Sequence, residues 1–295
     1  ATKVGELSPA QRALVHDSVG LYHLQEEGDE AQARKAYTAA RDAAPGDSRF
    51  VVGLARLDMQ AYDLAEAEGA LERAIKSDPG TGLYKTMLAE IDLLRGDASG
   101  AVRRLSSIVQ RDATANLLLG RAHLARAVSP TSSPETRAEG LSLAQDALDK
   151  SRSQSPNLVD AEALGLLVKL LQGQRRETQF RALADLRQRP NDSQDIVLDP
   201  AIKYRTYARA LAARGRARRA KDAFAAVLHA HPRDFQSQFG ICEAEMKRLR
   251  AAKALAACQK VATEMNPFFA PARQRWAEIA EFLAKPAVVS TALIP

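Results

Sequence analysis

Cysteine is nearly absent from this chain: Cys242 and Cys258 are the only two among its 295 residues. Two thiols so far apart exclude a disulfide-framework fold and a cysteine metal cluster. They are expected to be reduced and buried, with an oxidised pair across two adjacent antiparallel helices as the alternative. The five histidines (His16, His23, His123, His229 and His231) lack ligand spacing, and His229 and His231 flank a predicted helix end where a cation suits the dipole. No run reaches the roughly 18 uncharged apolar residues of a spanning helix. The opening ATKVGELSPAQR has no signal-peptide apolar core. Catalytic signatures are missing as well: there is no glycine-rich phosphate loop, no His-Glu-x-x-His, no Cys-x-x-Cys and no Gly-x-Ser-x-Gly. Carboxylate pairs such as Glu26-Glu27 and Glu66/Glu68 read as surface charge. The chain is expected to be no enzyme and to need no cofactor or metal.

What is present is a chain apolar enough to fold, 46% hydrophobic and 26% charged. It starts at Ala1 without methionine and ends in the apolar PAVVSTALIP, the expected edge of a longer or processed protein. Its organising feature is a period. Gly28-Asp29 is followed by Ala33, Tyr37 and Pro45, and Gly96-Asp97 by Ala101, Leu105 and Ala113. Gly173-Gln174 leads to Thr178, Ala182 and Pro190, and Gly215-Arg216 to Ala220, Phe224 and Pro232. Pro45 to Pro79, Pro79 to Ala113 and Pro156 to Pro190 are each 34 residues, and the remaining steps of 43, 42 and 35 are one period with an insertion.

Within each copy, two stretches carry apolar side chains at helical spacing, separated by a turn and ended by proline, which lacks the N–H for a further helical bond. Each copy therefore predicts a helical hairpin. Ala33, Ala67, Ala101, Ala144 and Ala220 are small where the two helices cross, and Tyr37, Leu71, Leu105, Leu148 and Phe224 fill the space one turn later. In the seventh copy, Leu255 and Gln259 fall at these positions. One hairpin cannot bury its apolar face alone, so the copies must stack. After Pro267, FFAPARQRWAEIAEFLAK predicts a closing amphipathic helix using Phe268, Trp276, Ile279 and Leu283. The tripeptide Arg95-Gly96-Asp97 is an adhesion signal on an exposed loop, but here it falls at an inter-helix turn. Gly96 then supplies the turn conformation and Asp97 a helix cap.

The period and its markers resemble the tetratricopeptide repeat family, best in YRTYARALAARGRARRAKDAFAAVLHAHP. There Tyr204, Tyr207, Ala208 and Leu211 stand at the family's Trp, Leu, Gly and Tyr positions, and Ala220, Phe224 and Pro232 complete the pattern. The resemblance implies an all-α, right-handed superhelical solenoid of about seven antiparallel hairpins. Its parts are a lead-in over 1–12, repeats over 13–267 with loop insertions near 128–136 and 190–200, a capping helix over 268–284 and a flexible apolar tail over 285–295. It also implies a concave face lined by first helices, carrying Arg49, Val52, Arg56 and Met59, then Leu83, Thr86, Glu90 and Leu93. Leu117, Arg121 and Leu124 follow, and then Ile202, Arg205, Arg209 and Ala212. Arginine's planar fork suits carboxylates, so the expected occupant is an acidic protein or peptide segment with aliphatic anchors. Arg205 and Arg209, with the second copy's arginines, are the sharpest candidates. The Lys and Asn set with which chaperone-binding members hold a terminal carboxylate is absent, since Ser18 and Tyr22, or Thr86 and Glu90, stand there.

Charge is uneven: residues 1–150 carry net −4 and residues 151–295 net +10. Lys203 to Lys221 holds eight basic residues and no acid, which makes nucleic acid or an anionic surface the alternative partner. Against it, helical spacing spreads these charges, no stacking aromatics alternate with them, and no apolar face accompanies them. The expected role is a noncatalytic scaffold or adaptor of bacterial type, in envelope, secretion, pilus, motility or polarity machinery. The cytoplasm is the expected location and the periplasm the alternative. Self-association stays open, with the tail from Pro286 a candidate to fill a groove.

Overall fold

The computed structural model describes residues 7–191 and 193–284. The expected tail over 285–295 and residues 1–6 of the lead-in lie outside them. Among the described residues the fold is all α, with fifteen α-helices, no strand and one isolated bridge. The chain divides into two compact units. Unit 1 is the chain through Leu93 together with Gly100–Arg111; unit 2 is Leu94–Ser99 together with Asp112 onward.

Unit 1 stacks helical hairpins. Its first helix, α1 (Pro9–Tyr22), starts where Ser8 and Gln11 exchange side-chain and backbone hydrogen bonds in a capping box and Pro9 supplies a preset φ. The second, α2 (Glu30–Ala43), follows Gly28 in the left-handed region (φ 66°) and is capped by Asp29. Then come α3 (Val51–Gln60), α4 (Leu64–Ser77) and most of α5 (Gly82–Arg95) and α6 (Ala98–Ser106), whose adjoining ends at Leu94–Ser99 belong to unit 2. Tyr37 of α2 shows why the small positions are small. Its ring lies so close to Gly20 of α1 and Gly53 of α3 that a Cβ at either would meet it at 2.7 and 2.5 Å.

Unit 2 contains α7 (Ala113–Ala127), α8 (Pro134–Gln154), α9 (Val159–Leu171), α10 (Arg176–Gln188), α11 (Ile202–Ala213), α12 (Ala217–Ala230), α13 (Phe235–Lys247), α14 (Ala251–Lys260) and α15 (Ala270–Ala284). The first insertion is only partly loop, because Ser133 caps and Pro134 opens α8, which absorbs the rest in its 21 residues. In the second, Ile196 lies along the start of α9. The Ile196 N–H donates to the Asn157 carbonyl at 2.9 Å, and the Val159 N–H to the Ile196 carbonyl at 3.0 Å.

The expected small and large positions are buried in five copies, from Ala33 and Tyr37 to Ala220 and Phe224. Two copies differ by one residue. In the fifth, Arg175 also adopts a left-handed conformation after Gly173, so the turn is one residue longer and Leu183, not Ala182, is buried. In the seventh, Leu249 takes the left-handed position 34 residues after Gly215, so Ala254 and Cys258 replace Leu255 and Gln259 in the core. Cys258 thus stands where other copies have Tyr37, Leu71 or Phe224, and it is disulfide-bonded to Cys242 of α13. This corrects the expectation of two reduced thiols. The helices cross closely enough at these small positions to bring the two Cα atoms to 5.3 Å.

In the closing helix Ile279 is buried, but Phe268 and Leu283 are exposed. The neighbouring Phe269 does the sealing, edge-on to Phe235 (5.1 Å) and Phe239 (5.4 Å). The turn Arg95-Gly96-Asp97 packs here too. A Cβ on Gly96 would lie 2.3 Å from Pro271 Cδ, and Asn266 Nδ2 donates to the Leu94 carbonyl at 2.9 Å. Gly96 is covered by Phe269 and Pro271 and Asp97 stays exposed, so the triplet lies on a packed inter-helix turn and not on a free loop.

Candidate functional site

In unit 1 the 34-residue period defines a lane of equivalent positions on the first helices α1, α3 and α5. Equivalent positions lie 34 residues apart, so Val15, Arg49 and Leu83 form one row and Tyr22, Arg56 and Glu90 another. Between them runs a third row of Ser18, Val52 and Thr86. Exposure falls along the lane. Val15, Tyr22, Arg49, Arg56 and Leu83 are exposed, Val52, Glu90 and Leu93 half-buried, and Met59 and Thr86 buried. At the α1 end, Leu14, Val15, Ser18, Val19 and Tyr22 line a shallow apolar trough of about 380 Å³. Tyr22 is 54% exposed. The arginines of the lane differ. Arg49 Nε donates to both carboxylate oxygens of Asp47, at 2.8 and 3.0 Å, and this pairing holds the Asp47 carboxyl below its ordinary range. Arg56 makes no hydrogen bond to the described residues. Burial raises the pKa of neighbouring Asp17, and the positive charge of Arg56 partly offsets this.

In unit 2 the expected groove residues mostly turn inward. Leu117, Leu124 and Ile202 belong to the apolar core of α7 to α11 and present nothing to a partner. Arg205 is corrected as well. It is 2% exposed, its Nη1 donates to Asp234 Oδ1 at 2.8 Å, and its Nη2 is bonded to Asp199. A guanidinium held by two carboxylates of its own chain is not offered to another. Arg209 is half-buried and its Nη2 donates to Gln236 Oε1 at 3.0 Å. Burial first, and then the like charge of Arg205, pulls its pKa down to about 10, so it stays protonated at neutral pH. Arg121 of α7 is half-buried and makes no hydrogen bond to the described residues. Its charge reaches Asp160 and Asp199. Burial raises Asp160, 2% exposed at the start of α9, to about 6, even though its Oδ2 accepts the Leu198 N–H at 3.0 Å.

Asp160, Asp199 and Asp234 were not singled out in the sequence. Their signal exists only in three dimensions, since Asp199 and Asp234 lie 6 and 29 residues from the arginine they serve. The trough residues Leu14 and Val19 were missed too, although apolar residues at 14, 15, 19 and 22 mark one helix face.

The basic run is largely committed internally. Lys203 Nζ donates to the Arg189 carbonyl (2.6 Å) and Asn191 Oδ1 (2.7 Å). Arg214 stacks 4.3 Å over Phe180 and donates to Glu177 at 2.8 Å, and Lys221 pairs with Asp222 at 2.9 Å. Arg216, Arg218 and Arg219 remain exposed. Among the described residues, no three His, Cys, Asp or Glu side chains gather as a metal site. No helix among them is long and apolar enough to cross a membrane.

Residues 24–91 match the family model described as tetratricopeptide repeat. No curated protein sequence matches the chain. Among solved structures, it is similar to a tetratricopeptide repeat protein from Parabacteroides merdae, with a TM-score of 0.55 and 14% identity, over 92% of this chain and 99% of that one. It is similar to a chain of the APC/C hetero-tetramer Cut9-Hcn1, with a TM-score of 0.54 and 13% identity over 93% of this chain, and it spans about half (49%) of that chain. A third likeness is human IFIT1, in a dimer with PPP-AAAA, with a TM-score of 0.50 and 14% identity, over 86% of this chain and 63% of that one. At such identities the likeness is one of fold.

Proposed function

We propose, from the premise that the chain is a member of the tetratricopeptide repeat family, that it is an interaction scaffold whose unit 1 lane holds an acidic segment with aliphatic anchors. Proteins of this family are generally non-catalytic scaffolds. The observation that carries the finer reading is the apolar trough of Leu14, Val15, Val19 and Tyr22 on α1, with Arg56 at the position equivalent to Tyr22 on α3. Tyr22 and the aliphatic residues offer anchoring area, and a guanidinium without a hydrogen-bonded partner offers a fork for a carboxylate. Affinity capture from a lysate, with the parent chain beside a Tyr22→Ala/Arg56→Glu variant and with nuclease in half the samples, tests this. A protein kept by the parent at moderate salt and lost by the variant is the expected result. Identical retention by the two would move the working surface off the lane.

The nucleic-acid alternative is weakened by the basic run, where only Arg216, Arg218 and Arg219 stand exposed. What IFIT1 binds belongs to that protein. The Cys242–Cys258 disulfide supports an oxidising compartment, and so the periplasmic alternative over the cytoplasmic expectation. Thiol blocking at the moment of lysis, followed by mass spectrometry, should find both cysteines unmodified until a reductant is added; prompt labelling would return the chain to a reducing compartment.

A further inference from the structure

Unit 2 holds a second arginine centre, at Arg205, and the chain itself occupies it. Residues 193–199 form a strap between α10 and α11, where the repeat pattern has only a short turn; it opens with a turn at 193–194 and bridges to Leu158 at Ile196. Asp195 and Asp199 flank three aliphatic residues, Ile196, Val197 and Leu198. Each part of this sequence has a receptor in the fold. Asp199 bonds Arg205 Nη2, and Asp195 lies 3.6 Å from Arg189 Nη2. Val197 packs on the apolar core of α7 to α11. The Ile196 backbone exchanges hydrogen bonds with Asn157 and Val159, and the Leu198 N–H donates to Asp160. Burial pushes the Asp199 carboxyl up, but the charge of Arg205 on α11, the charge of Arg121 on α7 and the hydrogen bonds from Arg205 and the Ala201 N–H hold it below its ordinary range.

The grip is nonetheless thin. Ile196 and Leu198 stay 47% and 51% exposed, although they are the large side chains of the segment. Of its three aliphatic residues only Val197 packs on the core, whereas the helices beneath the strap are closed by core packing along their length. Such a segment belongs to the low end of local stability. Asp199 also accepts the Ala201 N–H at 3.0 Å at the start of α11, so release costs that cap as well. An incoming carboxylate would restore both the cap and the Arg205 bond.

We infer that the strap is a displaceable internal ligand, covering a binding site in unit 2 whose external occupant is an extended protein segment of the same chemistry, aliphatic residues flanked by aspartates. The ion pair of Asp199 with Arg205, reinforced by the charge of Arg121, fixes the class of occupant. The site is separate from the unit 1 lane and does not depend on it.

Amide hydrogen exchange on the parent chain gives the first test. The Ile196 and Leu198 amides should exchange at least 100-fold faster than those of Leu164 and Val168 in α9. Exchange only together with α9 would mean that the strap opens only when the unit unfolds, and would overturn the inference. The second test uses a labelled peptide of residues 193–200, SQDIVLDP. It should bind a variant whose residues 193–199 are replaced by a Gly-Ser heptapeptide at least tenfold more tightly than it binds the parent. Asparagine at both peptide aspartates, or Arg121→Gln in the opened variant, should weaken binding several-fold. These affinities are compared on chains that also carry Arg56→Glu, so that the unit 1 lane, whose proposed occupant has the same chemistry, does not take up the peptide. Equal affinity for parent and opened variant, or no binding to an opened variant with native circular dichroism, would remove the site. If that variant does not fold, the exchange rates of the parent decide alone.

Discussion

Asp160 and Arg205 lie in the same buried neighbourhood and meet opposite fates. Arg205 has two carboxylates to offset its desolvation, whereas Asp160 has only backbone N–H groups, those of Leu198 and of Asp160 itself, and the charge of Arg121, with the like charge of Asp199 against it. Its folded pKa of about 6 lies above the ordinary 3.8, so between those values the folded state holds a proton that the unfolded state has released. Stability from this group is therefore present at low pH and lost as pH rises through 6. Asp160→Asn keeps an oxygen for Leu198 and removes the buried charge. It should raise stability at pH 7.5 by roughly 1 to 3 kcal/mol, with the gain shrinking towards pH 5, as urea denaturation at the two pH values would show. A second contrast concerns two turn glycines. Gly215→Ala, at φ 74° in open space, should cost roughly 1 kcal/mol for the left-handed backbone. Gly96→Ala should cost at least twice as much, because its Cβ also meets Pro271. Equal costs, read from denaturation midpoints, would mean that the Phe269–Pro271 cover moves aside freely. At this scale the sequence was partly legible. Residue type and period located Arg56, Arg121 and Arg209 on first helices, but nothing in spacing reveals that a neighbouring insertion supplies the carboxylate that takes Arg205.

At the scale of the element, the period itself carried the information. Small residues mark helix crossings and the hairpins follow, so helix pairs were readable wherever Gly or Pro punctuated them. The two register differences arise where an ordinary residue does the glycine's work. Arg175 adds a left-handed residue to the fifth turn, and Leu249 replaces glycine in the seventh. With the seventh turn shifted, Cys258 lands on the large core position, and only then do the two cysteines face each other across α13 and α14. That copy consequently has a small core, Ala254, Ala257, Ile279 and the cystine, with α15 lying over it. A covalent tie closing a sequence separation of 16 contributes roughly 3 kcal/mol on loop-entropy grounds. Reduction, or Cys258→Ala, should lower stability by about that amount and should speed amide exchange first in α13 to α15. If α1 to α4 were affected equally, the disulfide would be acting on the whole chain and not on its last repeat.

For the whole molecule, net charge proves a poor guide to function where charges are spent inside the fold. The C-terminal half carries net +10, and its densest run was the one feature of the sequence that pointed to nucleic acid. In the structure Lys203 and Arg205 are buried, Arg209 is bonded to Gln236, and Arg214 and Lys221 are paired. Three arginines, Arg216, Arg218 and Arg219, are left to meet a phosphate backbone. Counterion release then sets the expected salt dependence: for a single strand each phosphate contact adds about 0.7 to the slope of log K against log salt, so three contacts give about −2 and all eight would give about −6. Titrating a fluorescent single-stranded oligonucleotide with the chain at several salt concentrations measures this slope directly. A value near −2, with binding negligible at physiological salt, is expected of a scaffold whose arginines serve its own fold. A slope near −6 would require Lys203, Arg205 and their neighbours to leave their internal partners, and would restore nucleic acid as the partner of this half.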